Sequence, residues 1–155
     1  MNPGTEDGTA GPNEPESSFG TMIRRPTPAA FPVSSPDDLP LFQIHDDGGP
    51  LVATAIHDGH SVRPEIAALL HIDEATRVSE EDPGTGDFAR AFPSRAILER
   101  SRFEVDVNRS EADAVYGMKV WEIERVWSTE PAPDVRERSL AVRSAFYRAM
   151  ESLLA

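Results

Sequence analysis

The first 38 residues, "MNPGTEDGTAGPNEPESSFGTMIRRPTPAAFPVSSPDD", have no apolar periodicity and are broken repeatedly by proline and glycine. A core therefore has to come from the rest of the chain: a disordered tail over 1–38 and one folded unit over 39–155 are expected. About 115 residues still suffice for a single core. The chain has no cysteine, which excludes disulfides and any thiolate metal site or nucleophile. A metal would have to be held by His, Asp or Glu, which suits zinc, manganese or iron. The net charge of −12 argues against nucleic acid and against anionic membrane surfaces as partners. No apolar run approaches the ~20 residues needed to span a bilayer. Arg24 and Arg25 precede a proline-broken stretch that is no signal-peptide core, so a cytoplasmic setting is expected.

In the folded part, "LFQIH" (41–45) and "LVATAIH" (51–57) flank the turn signal "DDGGP". They predict a hairpin or two successive strands. The second is apolar at nearly every position, as for a strand covered on both faces of an α/β sheet. "RPEIAALL" predicts a short helix with Pro64 at its first position. "DEATRVSEED" predicts another, capped by Asp73. "PGTGDFARAFP" reads as a loop. "SRAILERS" (94–101) and "RFEVDVNR" (102–109) read as strands, the latter with Phe103, Val105 and Val107 alternating with Glu104, Asp106 and Asn108. A turn and a short extended piece are expected around Trp121. "DVRERSLAVRSAFYRAMESLLA" predicts a terminal amphipathic helix. Asp134 and Glu137 stand in capping-box spacing, and Val142, Phe146, Ala149, Met150 and Leu153 lie on one face. The helix is still apolar at Leu153 and Leu154, which reads as a chain cut in mid-fold.

His57 and His60 close the second predicted strand. A histidine at the carboxyl end of an α/β strand, with Gly59 letting the backbone turn, can aim its ring at a metal. On spacing alone, two solvated turn histidines are the commoner arrangement. His45 and His71 have no such context. Glu80, Glu81, Asp82 and Asp87 crowd together further on, either as a solvated loop or as the source of a carboxylate ligand. Arg109 beside Asn108 offers a guanidinium fork and an amide, suited to a substrate carboxylate. By pattern alone, a wet edge strand with Arg102 and Arg109 in surface ion pairs is an equal alternative.

Taken together, "AIHDGH", "EEDPGTGDF" and above all "SRFEVDVNR" resemble the N-formylglutamate amidohydrolase (deformylase) family. The resemblance runs over roughly residues 41–155. It implies an α/β fold similar to zinc carboxypeptidases (phosphorylase/hydrolase-like): a mixed, twisted sheet with helices on both faces. It also implies zinc-dependent hydrolysis of the C–N amide bond of an N-acyl amino acid, releasing formate in histidine breakdown. His57 would then be a metal ligand and Glu81 or Asp82 the carboxylate ligand. Arg102, Asn108 and Arg109 would grip the substrate carboxylate. His60 and Asp106 would support them, Asp106 by orienting an arginine or a ligand. Ile56, Asp58 and Ser79 depart from the family's motifs. The family's second metal-binding histidine lies on a strand after the terminal helix, so the active site is expected to be incomplete here. A second copy, paired through an uncovered sheet edge, could complete it. The alternative is an inactive relative kept as a binding or oligomerising module.

Overall fold

The computed structural model describes residue 1 and residues 41–155. The tail expected over 1–38 lies outside the described residues. Among the described residues three strands form a sheet: β1 (Phe42–His45), β2 (Val52–Ala55) and β3 (Ser94–Leu98). Their order is β1-β3-β2, with β1 antiparallel and β2 parallel to β3. The turn at Gly48 (φ +73°) therefore does not close a hairpin. It sends the chain past the central position, which β3 later fills. Among the described residues the apolar β2 lies at the edge of the sheet, and β3 is the central strand.

Strand alternation distributes β3 between two cores. Ala96 and Leu98 face a cluster with Val105, Val107, Val142, Phe146 and Leu153. Ile97 faces the opposite cluster with Ala55 and Ala89. α4 (Pro133–Leu154) covers the first face, and α3 (Thr85–Arg90) covers the second. The rings of Phe42 and Phe146 meet edge to face at 5.7 Å. The architecture is thus mixed α/β, a small mixed sheet with helices on both sides.

The short helices follow their predicted signals. α1 (Pro64–Ala67) starts on Pro64, whose missing N–H costs nothing at that position. α2 (Glu74–Glu80) is capped by the Asp73 carboxylate, which accepts from the Thr76 N–H at 2.8 Å.

Three local expectations are corrected. "PGTGDFARAFP" contains α3, which begins after Gly84 in a left-handed conformation (φ +87°) whose N–H is held by Asp58 at 2.8 Å. The expected capping box of α4 does not form; the helix begins at Pro133 with Ala132 at its N-cap, and Asp134 lies inside the first turn. Residues 102–109 are a chain of turns and not a strand. Their alternation is real, but it separates apolar core from buried ion pairs. Phe103, Val105 and Val107 are buried, and so are Glu104 and Asp106. Glu104 and Asp106 each lie four residues after an arginine, Arg100 and Arg102, and pair with it.

Candidate functional site

The parallel pair β2 and β3 delivers its carboxyl ends to one place. The chain leaves β2 into His57–His60, and it leaves β3 into Arg100–Arg109. Ser61 and Arg100 join the two exits by an isolated parallel bridge. Gly59 is needed here for close approach, since its φ is not in the left-handed region. A Cβ on it would lie 2.2 Å from the Glu99 carbonyl carbon. This corrects the expectation that Gly59 serves a turn.

Asp106 is the hub. Its side chain is 1% exposed. One oxygen accepts from His57 Nε2 at 2.8 Å and from the Asn108 backbone N–H at 2.9 Å. The other accepts from the Tyr116 hydroxyl and from Arg102 Nη2 at 3.1 Å, with Arg109 Nε 3.4 Å away. Burial alone would push this carboxyl up. The hydrogen bonds from His57 and Tyr116, then the charge of His57 and the Asn108 N–H, outweigh it and hold Asp106 well below the usual carboxylate range. Burial pushes the Tyr116 phenol above its usual range, and the hydrogen bond and charge of Asp106 push it further, against a smaller pull from Arg102. Tyr116 thus stays a donor.

His57 is buried, yet its second ring nitrogen, Nδ1, faces Asp82 Oδ2 at 3.2 Å. Asp82 is tethered by its backbone N–H to the His57 carbonyl at 3.0 Å, while its side chain is half exposed. With Nε2–H donating to Asp106, Nδ1 meets Asp82 as a lone pair facing an anion. A proton on Nδ1 would make the ring a donor to both carboxylates, and a cation could stand in that proton's place.

Glu81 occupies a separate, buried position. It accepts from Arg77 Nη1 at 2.7 Å and from the Ser101 hydroxyl, and it pairs with His60 Nδ1. The acidic segment therefore divides: Asp82 turns to His57, and Glu81 turns to His60. Arg102 also donates to Tyr116 at 3.0 Å and stacks its guanidinium 4.4 Å from the Trp121 ring centre. Asn108 is exposed, and its contact with the hub is through the backbone. His45 and His71 are exposed and lie outside these networks.

Several participants are not visible as such in the sequence. Tyr116 and Trp121 sit in a stretch without periodicity. Trp121 occupies a two-residue turn closed by hydrogen bonds between Val120 and Ile123, at φ +48°. A second buried network joins Arg63, Arg100, Glu104 and Ser139. The i, i+4 spacing of Arg100–Glu104 and Arg102–Asp106 is the one sequence signal of these buried pairs.

The donor set bears directly on zinc. Ligand atoms on adjacent corners of a tetrahedral zinc lie about 3.4 Å apart. His57 Nδ1 and Asp82 Oδ2 stand 3.2 Å apart, a separation that a hydrogen bond between them accounts for equally. Among the described residues, however, no group of three His, Cys, Asp or Glu side chains is placed to hold a metal ion. His57 and Asp82 offer two corners, and a resident zinc takes at least three protein donors. The described residues alone do not fit a complete zinc centre.

Compared with protein-family models, curated proteins and solved structures, the chain shows no match in any of the three. No helix among the described residues is long and apolar enough to cross a membrane.

Proposed function

We propose that this chain carries part of an N-formylglutamate amidohydrolase-like site, the part that orients a metal-ligating histidine and holds the carboxylate of an N-acyl amino acid. One observation carries the reading: His57 is fixed by buried Asp106 through Nε2 while Nδ1 faces the Asp82 carboxylate. A carboxylate behind a histidine is the usual support of a metal-ligating imidazole. The same Asp106 aligns Arg102 and Arg109, whose guanidinium groups suit a substrate carboxylate. Asn108, exposed beside them, is within the same turn.

Zinc is the proposed metal, with His57 and Asp82 as two ligands. The remaining donors come from outside the described residues, and a second copy pairing through the edge of β1 or β2 is one source. The likeness to the carboxypeptidase-type fold belongs to this same proposal. A second reading is supported by the two-donor count: an inactive module that binds carboxylates through Arg102 and Arg109.

The two readings separate in one assay. Formate release from N-formyl-L-glutamate and other N-formyl amino acids is followed with added zinc over a range of chain concentrations. Zinc-dependent release that is lost in His57→Ala supports hydrolysis. No release at any concentration, with N-acyl amino acids still binding, leaves the binding module.

A further inference from the structure

A pocket of about 330 Å³ opens between the 109–120 segment and the first turns of α4. Its lining includes three cationic side chains, Arg109, Lys119 and Arg136, and one carboxylate, Asp113. Three positive charges against one negative leave a local excess of two, in a chain whose net charge is −12. Lys119 is the chain's single lysine.

Among the described residues these charges are poorly neutralised. Arg136 donates to the backbone carbonyls of Val115 (3.1 Å) and Ala112 (2.8 Å), which position the guanidinium but do not cancel its charge. Arg109 approaches a carboxylate only through Nε, and that carboxylate, Asp106, already serves His57, Arg102 and Tyr116. Lys119 pairs with Glu124 at an exposed position, where ion pairs are weak. Asp113 is engaged by the Ser110 hydroxyl at 2.7 Å. Cations converging on a concave site without matching anions form an anion receptor.

We propose that this pocket binds a small doubly charged oxyanion of the phosphate class, as the free ion or as a small phosphate monoester. Two guanidinium charges on separate elements plus an ammonium supply charge for a dianion, and a single carboxylate would leave part of it uncompensated. The inference shares Arg109 with the hydrolytic reading but is carried by Lys119 and Arg136, which that reading does not use. Anion binding is measured without any hydrolysis assay, so failure of one leaves the other standing.

The test is calorimetric titration of the full chain with inorganic phosphate, and in parallel with succinate, at ionic strength held constant with sodium chloride. Saturable one-site phosphate binding is expected, tighter than succinate binding. Arg136→Gln should weaken it about tenfold. Lys119→Gln, at an exposed position where folding is not at risk, should weaken it about threefold. Asp113→Asn should tighten it, and Arg90→Gln, which removes a charge outside the pocket, should leave it unchanged. The proposal is overturned by the absence of saturable phosphate binding, by succinate binding more tightly, or by Lys119→Gln and Arg90→Gln having equal effects.

Discussion

His57 Nε2 meets Asp106 Oδ1 at 2.8 Å, with both side chains withdrawn from solvent. The same carboxylate holds Arg102, Tyr116 and the Asn108 N–H. Asp106 thus joins the turn after β2 to the turns after β3. Replacing it with Asn leaves an arginine and a histidine facing a neutral amide. Asp106→Asn is expected to cost about 3–5 kcal/mol, the range for breaking a buried pair on one side. Urea unfolding checks this, and a loss under about 1 kcal/mol would contradict the hub role.

Tyr116→Phe removes one donor to Asp106 and one acceptor for Arg102 Nε. Its ring still packs edge to face on Phe103 at 5.6 Å. The expected loss is smaller, about 1–3 kcal/mol. The same unfolding measurement reads it, and the order Asp106→Asn above Tyr116→Phe is the discriminating result.

The same two groups set a pH window. Asp106 has its folded-state value below the unfolded one, so its contribution is present above about pH 4 and is lost as pH falls through the folded value. Tyr116 is shifted upward, so its contribution is full below about pH 10 and is lost as pH rises through the folded value. Urea midpoints across pH should fall at both ends. Asp106→Asn should flatten the acid limb and Tyr116→Phe the alkaline one; unchanged slopes would rule out both assignments.

Gly59→Ala tests how closely the two strand exits approach. The new Cβ would sit against the backbone of Leu98 and Glu99, which cannot yield as a flexible side chain would. A loss of at least about 1–3 kcal/mol is expected, with displacement of the His57 turn. Gly49→Ala, where a Cβ meets nothing within 4 Å, is the control.

Arg100 is fully buried, and its Nε and Nη2 have no hydrogen-bond partner among the described residues. Its contact with Glu104 is long, at 3.4 Å, while Arg63 serves the same carboxylate at 2.8 Å. Arg100→Met is therefore expected to be neutral or stabilising, and Glu104→Gln destabilising by about 3–5 kcal/mol. Comparable losses in both would show that Arg100 is fully paired.

The elements that local chemistry dictates are legible in the sequence. Pro64 starts α1 and Asp73 caps α2 because each satisfies or removes a terminal N–H by itself. The face of α4 through Val142, Phe146 and Leu153 is legible because helical spacing alone defines it. The 102–109 segment is not, because alternation looks the same whether its polar positions meet water or buried guanidinium groups. α3 is hidden behind Pro83 and Gly84, since its start depends on Asp58, 26 positions away from Gly84. At the site, the sequence marks His57, Asp82, Arg102, Asp106 and Arg109. That Glu81 turns to His60 and Asp82 to His57 is a matter of tertiary placement. Tyr116 and Trp121 become visible only through the turns that bring them onto the arginines.

Asp106 holds the His57 ring by Nε2, and the proposed role of that contact is to present Nδ1, with Asp82, to a cation. The most direct test is zinc occupancy of the purified full chain beside His57→Ala and Asp106→Asn, each verified as folded by circular dichroism. At chain concentrations where a second copy can supply the remaining donors, zinc is expected to be bound by the wild-type chain, lost in His57→Ala and weakened about 10–100-fold in Asp106→Asn. Zinc absent from the wild-type chain, or held equally by all three proteins, would contradict the claim.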